Sequence, residues 1–266
     1  MNKVTRHDFL RLAAIVSGGA VASACVAPVV APAVSEVARA GVTAPSADAA
    51  DLIRRIRADL QPLMQAIQSH RYLDALEAGR VQPESLKVLA AQQYHIVTNG
   101  IMNIALMVSR FGNLPSRGLL NFFLQAEFEV REAIVRFAQT LGMDEDELKQ
   151  SEVVAGALPF SYYETYLCFY RSDAELIAAF LFDAEVWINN ARRISKALQE
   201  RYDFTADSVQ FFEMYANYQA SDEQVIPPVQ AALDRGVSEQ EIRQAVRLLL
   251  EYELMFWDAM AASSGV

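Results

Sequence analysis

SDAELIAAFLFDAEVWI, residues 172–188, decides how the rest of the chain is read. Ser172 and Glu175 have the spacing of a capping box, in which the N-cap side chain and the carboxylate three residues on each bond the other's backbone N–H. A helix therefore starts here, and IAAFLFDAEVWI, residues 177–188, is its most apolar part. Two carboxylates, Asp183 and Glu185, interrupt that run. Residues two apart on a helix point about 200° away from each other, so the two acids cannot both face one interior. Asp183 shares a stripe with Ala179, Phe180 and Trp187, and Glu185 shares one with Ala178, Leu181 and Phe182.

The same pattern recurs elsewhere. Glu127 follows NFFLQA, and Glu251 and Glu253 interrupt LLLEYELMFW. An isolated buried carboxylate is costly, so each such acid is paired, hydrogen-bonded or partly solvated. One member of each close pair can be a salt-bridged surface acid. Acids in three apolar helices nonetheless favour a central polar pocket. Burial among Leu254, Phe256 and Trp257 is expected to raise the Glu253 carboxyl toward the pH at which proton transfer is useful.

From about residue 50 the chain reads as helices separated by short breaks, without the hairpin signals of a β protein. DLIRRIRADLQPLMQAIQ carries Leu52, Ile56, Leu60, Leu63 and Ile67 at helical spacing. Pro83 suits a first helical position, and Gly112 with Pro115 closes the helix that it opens. The next helix stops at Gly142, and DEDEL, residues 144–148, suits a helix N-terminus. Ser238 and Glu241 form another capping box, while Pro227-Pro228 is expected to break or kink a helical run. The sum is seven or so helices in one all-α bundle. Neither a fixed repeat nor sustained heptads are present.

Lys and Arg number 23 against 33 Asp and Glu, a net charge of −10 that argues against nucleic-acid binding. LIRRIR, residues 52–57, reads as a solvated helix face. The two cysteines, Cys25 and Cys168, form no disulfide framework. MNKVTRHDFLR is basic, and no charge follows from Leu12 to Val34, as in a secretory signal. TRHDFLR resembles a twin-arginine motif with His7 in place of the second arginine. Ala38-Arg39-Ala40 suits a cleavage site, and ASAC ending at Cys25 is a lipoprotein-type alternative. Residues 1–40 are thus expected to be an export leader, 41–49 a linker and 50–266 the helical domain. The expected location is exported, periplasmic or membrane-associated through the leader, and cytoplasmic if the leader does not function.

PFSYYETYLCFY, residues 159–170, is rich in aromatics. Core packing accounts for such a run, and a planar ligand stacked among Tyr162 and Tyr163 is the sharper alternative. His95, in QQYHIV, fits a satisfied histidine or a ligand contact, and His70 fits a helix boundary.

SHRYLDALEAGRVQPESLKVLAAQQYHIV, RFAQTLGM, SDAELIAAFLFDAEVW and YELMFWDAM, in that order, resemble the TenA/PqqC group of the heme-oxygenase-like fold over roughly residues 65–260. The resemblance implies a single all-α multi-helical bundle enclosing one pocket for a small organic molecule. It places Asp183 where the thiaminase branch has its nucleophilic cysteine, Gln93 where that branch has an aspartate, and Glu253 at the matching glutamate. A carboxylate is the weaker nucleophile, so ordinary thiaminase chemistry is not expected. In the iron-using relatives a histidine follows the position of Glu127, and here Arg131 stands there. A later His-x-x-x-Asp-x-x-His run becomes Tyr218, Asp222 and Val225, with Glu185 at the remaining acidic position. Iron(II) oxygenase sites use two histidines and a carboxylate. No metal or other cofactor is therefore expected, and iron only through an all-carboxylate site. The PqqC branch oxidises without metal.

The resulting expectation is a pocket for a small nitrogenous or aromatic molecule. Glu253, Asp183 and Glu185 would serve as catalytic acids and bases of an oxidoreductase or hydrolase. Gln93, His95, Tyr162, Tyr163, Trp187 and Glu127 would contact the substrate. The alternative is a catalytically inactive exported binding or accessory protein. Expected partners are the small molecule and the export machinery, with a homo-oligomer left open and nucleic acid excluded.

Overall fold

The computed structural model describes residues 48–266, so the expected leader, residues 1–40, and residues 41–47 of the expected linker lie outside the described residues. Among the described residues every regular element is a helix. In chain order these are α1 (Ala49–Gln68), α2 (Arg71–Glu77), α3 (Pro83–Phe111), α4 (Arg117–Thr140), α5 (Glu145–Gln150), α6 (Pro159–Tyr170), α7 (Asp173–Arg201), α8 (Gln210–Ala216), α9 (Asp222–Asp234) and α10 (Glu239–Ser264). The surplus over the seven or so expected comes from α2, α5 and α8, none longer than 7 residues.

Local chemistry explains most boundaries. α1 begins inside the stretch expected as linker because the Asp48 carboxylate accepts from Ala50 N at 2.9 Å and Asp51 N at 3.4 Å. The Ser172 N–H donates to Glu175 Oε2 at 2.8 Å, and Asp144–Glu147 and Ser238–Glu241 form equivalent boxes. α4 is followed by Gly142 at φ +78°, a left-handed conformation that glycine adopts without a Cβ clash. His70 caps α2, its Nδ1 accepting from Tyr72 N at 3.2 Å. The expected break at Pro227-Pro228 is not present: α9 runs through both prolines. The carbonyls that lose their donors belong to Glu223 and Gln224, which are exposed, so water can satisfy them.

α7 is the central rod. Residues 173–179 are all buried, and α10 runs along it while α1, α2, α8 and α9 pack around it. α3 and α4 form a second lengthwise pair, α6 bridges α3 to α10, and α8 bridges α7 to α4. Trp257, Tyr72, Phe137, Phe182, Phe211, Phe212 and Phe256 are the largest fully buried side chains. Each contributes about 1.5–3 kcal/mol of transfer free energy. The volume between the α3/α4 pair and the α7/α10 pair is closed at its sides by α6 and α8, and there the packing leaves a hollow.

Candidate functional site

The hollow is a cavity of about 430 Å³. α3 lines it with Gln93, Ile96, Val97 and Gly100, α4 with Phe123, Glu127 and Val130, and α6 with Phe160 and Glu164. α7 adds Phe180, Asp183 and Trp187, α8 adds Tyr215, and α10 adds Glu253. Phe122, 47% exposed, sits at the rim and stacks on Tyr218 with ring centroids 5.9 Å apart. Among the described residues no lysine, arginine, histidine, serine, threonine or cysteine lines the cavity.

Four acids point inward. Glu164 is 2% exposed because α6 buries the face carrying Phe160, Ser161, Glu164, Leu167 and Cys168, a helical spacing. Glu127 and Asp183 keep some accessible surface, which faces the hollow, but Glu127 Oε2, Asp183 Oδ1 and Glu164 Oε1 are buried without a hydrogen-bond partner in the protein. Glu253 Oε1 accepts from Trp257 Nε1 at 2.8 Å, which fixes the carboxylate. A methyl at Gly100 would lie 3.5 Å from Glu127 Oε2 and 3.8 Å from Glu164 Oε1, so two unpartnered oxygens flank one notch in α3.

Burial without compensating charge disfavours the ionised form of all four. It pushes the Asp183 carboxyl up to about 7 and that of Glu127 up to about 8. Glu164 is driven well above the usual carboxylate range by burial, then by Glu127, with Asn103 opposing and Asp183 adding to the rise. Glu253 is raised likewise by burial and then Asp183, partly offset by the Trp257 hydrogen bond. The Tyr215 hydroxyl, buried beside Glu127, Asp183 and Glu164, is also raised. Near neutral pH the cluster therefore mixes protonated acids and carboxylates, which suits it to proton transfer and to cation binding.

Of the residues singled out from sequence, Asp183, Glu253, Glu127, Gln93 and Trp187 come together in this cavity. Glu185 does not. Its carboxylate accepts from Arg57 Nη2 at 2.5 Å, and the same guanidinium donates to Asp222 Oδ1 at 2.6 Å. Asp183 and Glu185 thus diverge as the 200° spacing requires, and Glu185 serves an inter-helix ion pair. His95 and Tyr162 line a separate open groove, with His95 Nε2 lying 2.9 Å from Ser151 Oγ. Tyr163 is half-buried and packs against Tyr166 and Tyr252 instead of lining the cavity. Glu164 and Tyr215 went unnoticed in the sequence. The spacing of Phe160, Glu164, Leu167 and Cys168 was the available signal for Glu164, masked by the tyrosines around it.

The donor set does not fit the iron site of the iron-using relatives. Arg131 donates to Glu145 Oε1 at 2.5 Å and to the Tyr94 hydroxyl at 3.2 Å, Asp222 is held by Arg57, and Val225 is buried. No group of three or more His, Cys, Asp or Glu able to hold a metal ion occurs among the described residues. Cys168, the cysteine of the helical body, lies outside the cavity, and burial raises its thiol far above the usual range. Trp187 and Trp257 stack at 5.7 Å and 28°, so an indole on the cavity wall continues into the indole that holds Glu253.

Comparison with known proteins agrees with this architecture. The family model described as TENA/THI-4/PQQC matches residues 57–263. No curated protein matches the chain. Among solved structures, a TenA homolog from Pseudomonas syringae pv. tomato is 15% identical at a TM-score of 0.70, covering 83% of this chain and 98% of its own. A TenA homologue from Pyrococcus furiosus is 18% identical at a TM-score of 0.61, covering 79% and 99%. A domain of unknown function with a heme oxygenase-like fold from Shewanella denitrificans is 16% identical at 0.58, covering 82% and 92%. At these identities the likeness is one of fold.

Proposed function

Because the chain belongs to the TENA/THI-4/PQQC family, we propose that it binds a small nitrogenous molecule with a flat or apolar body and transfers a proton on it with Asp183 and Glu253. The observation that carries this reading is the cavity wall: inward carboxylates set among aromatic and aliphatic side chains, with no basic group among the described residues to neutralise them. A desolvated carboxylate of this kind gains most from a ligand that brings its own positive charge. Trp187, Phe123 and Phe180 supply the apolar and aromatic surface for the rest of the molecule.

Asp183, at about 7, is divided between its two protonation states near neutral pH and can take or give a proton. Glu253, raised well above the usual carboxylate range by burial and then by Asp183 and oriented by Trp257, serves as the protonated partner. Two carboxyls with different proton affinities in one site make an acid–base pair. That supports hydrolysis driven by proton transfer, or oxidation of the ligand by dioxygen as electron acceptor with this pair moving the protons, in either case without a thiolate.

The test is a turnover screen of aromatic amines and amino-substituted heterocycles. Asp183→Asn and Glu253→Gln are each expected to lower kcat at least tenfold with ligand binding retained. Unchanged turnover in either variant removes that residue from the mechanism. A second reading, an exported binding module without catalysis, is supported by the lack of any serine, threonine, cysteine or histidine on the wall among the described residues. It predicts tight binding with no turnover of any bound compound.

A further inference from the structure

The cavity has a second acidic pole that the acid–base pair does not use. Glu164 from α6 and Glu127 from α4 meet at the Gly100 notch of α3, and neither Glu164 Oε1 nor Glu127 Oε2 has a partner in the protein. Glu164 is 2% exposed, so it owes nothing to solvent. Glu129, the remaining acid on the wall, is exposed and belongs to the rim. Asp183 and Glu253, from α7 and α10, form the other pole.

Two carboxyls held close in a dry site do not both ionise, and burial keeps such a pair largely protonated until a cation arrives and lets it give up one proton. Each pole can therefore take one cation. A single ammonium group engages one pole and leaves the buried, unpartnered oxygens of the other without a donor. The hollow also has room for more than a small monoamine.

We propose that the ligand of this cavity is an organic diamine, with one ammonium group at Glu127 and Glu164 and the other at Asp183 and Glu253, joined by a flat or apolar spacer lying against Trp187. This rests on the reading of the cavity as a site for nitrogenous molecules and narrows it to a dication. Each pole offers an oxygen with no hydrogen-bond partner in the protein, Glu127 Oε2 and Glu164 Oε1 at one and Asp183 Oδ1 at the other, and Gly100 leaves the first pole open because a methyl there would lie in ordinary contact with both acids and occupy the space beside those oxygens. Glu127 and Glu164 are binding residues in this assignment, not proton-transfer groups.

Isothermal titration of the purified chain at pH 7 with 1,3-bis(aminomethyl)benzene and with benzylamine tests it. The two probes share a ring and differ in one ammonium group. The diamine is expected to bind at least tenfold more tightly, and Glu164→Gln is expected to bring the ratio of the two affinities to about one. Gly100→Ala, which keeps every charge, is expected to reduce the ratio as well and guards against a folding defect in the first variant. Equal affinities in the unmodified protein, or a ratio that survives both substitutions, overturns the diamine assignment and leaves the nitrogenous-ligand reading standing. Failure of both amines to bind overturns that reading too. Tight one-to-one binding of Mn²⁺ alone, abolished by Glu164→Gln, overturns the assignment in favour of a metal.

Discussion

Glu185→Gln and Asp183→Asn change neighbouring acids on one helix and are expected to do opposite things. Glu185 lies in a partly exposed network with Arg57 and Asp222, so its substitution is expected to cost about 1 kcal/mol of stability. Ligand affinity in the cavity should not change, and thermal melting beside a binding titration checks both outcomes. Trp257→Phe is the complementary case. It removes the donor to Glu253 Oε1, so the Glu253 carboxyl rises further and ligand affinity is expected to fall about fivefold. The lost indole volume costs a further 1–3 kcal/mol or so. At this scale helical phase and apolar context singled out Asp183, Glu253, Glu127 and Trp187, and the family resemblance singled out Gln93; all five line the cavity. Phase and context were not enough for Glu185, whose sequence neighbours are as apolar as those of Asp183. The partner that draws it outward, Arg57, is 128 residues away in the chain. His95 and Tyr162 went astray for a similar reason, since their helices present a second, exposed face that no local pattern distinguishes.

Gly100 illustrates how an element is compromised for its site. Glycine inside a helix such as α3 costs roughly 1 kcal/mol relative to alanine. A methyl there would make only ordinary contacts, the nearest 3.5 Å from Glu127 Oε2. Gly100→Ala is therefore expected to raise the unfolding free energy by up to about 1 kcal/mol while weakening ligand binding, measured by urea denaturation and titration. Helix starts and stops were largely legible because capping boxes and a left-handed glycine are local signals, as at Ser172, Ser238 and Gly142. α9 was not, because whether Pro227 and Pro228 end a helix depends on who solvates the carbonyls of Glu223 and Gln224. The inward face of α6 was hidden by its aromatic composition, which is apolar on the outside as well: Tyr162, Phe169 and Tyr170 are exposed.

For the whole molecule the interior acids set the pH dependence of stability. Asp183 is raised from 3.8 to about 7 and Glu127 from 4.5 to about 8, so between these limits the native state holds more protons than the unfolded chain. Stability therefore falls as pH rises through that window. Glu77 and Glu145 have the opposite sign: their arginine partners lower them, and their contribution is lost as pH falls below the ordinary carboxylate range. The melting temperature is expected to peak near about pH 4–5, where the ordinary carboxylates titrate, and to decline toward about pH 8. Asp183→Asn should flatten the alkaline side, which a melting series across pH checks. The stacked indoles carry a practical corollary. Trp187 and Trp257 are the two tryptophans of the chain, so its tryptophan emission originates at the cavity wall and in the indole stacked behind it. Occupancy and the protonation of Asp183 should both be readable as a change in native fluorescence, making the protein a label-free optical sensor of its own ligand.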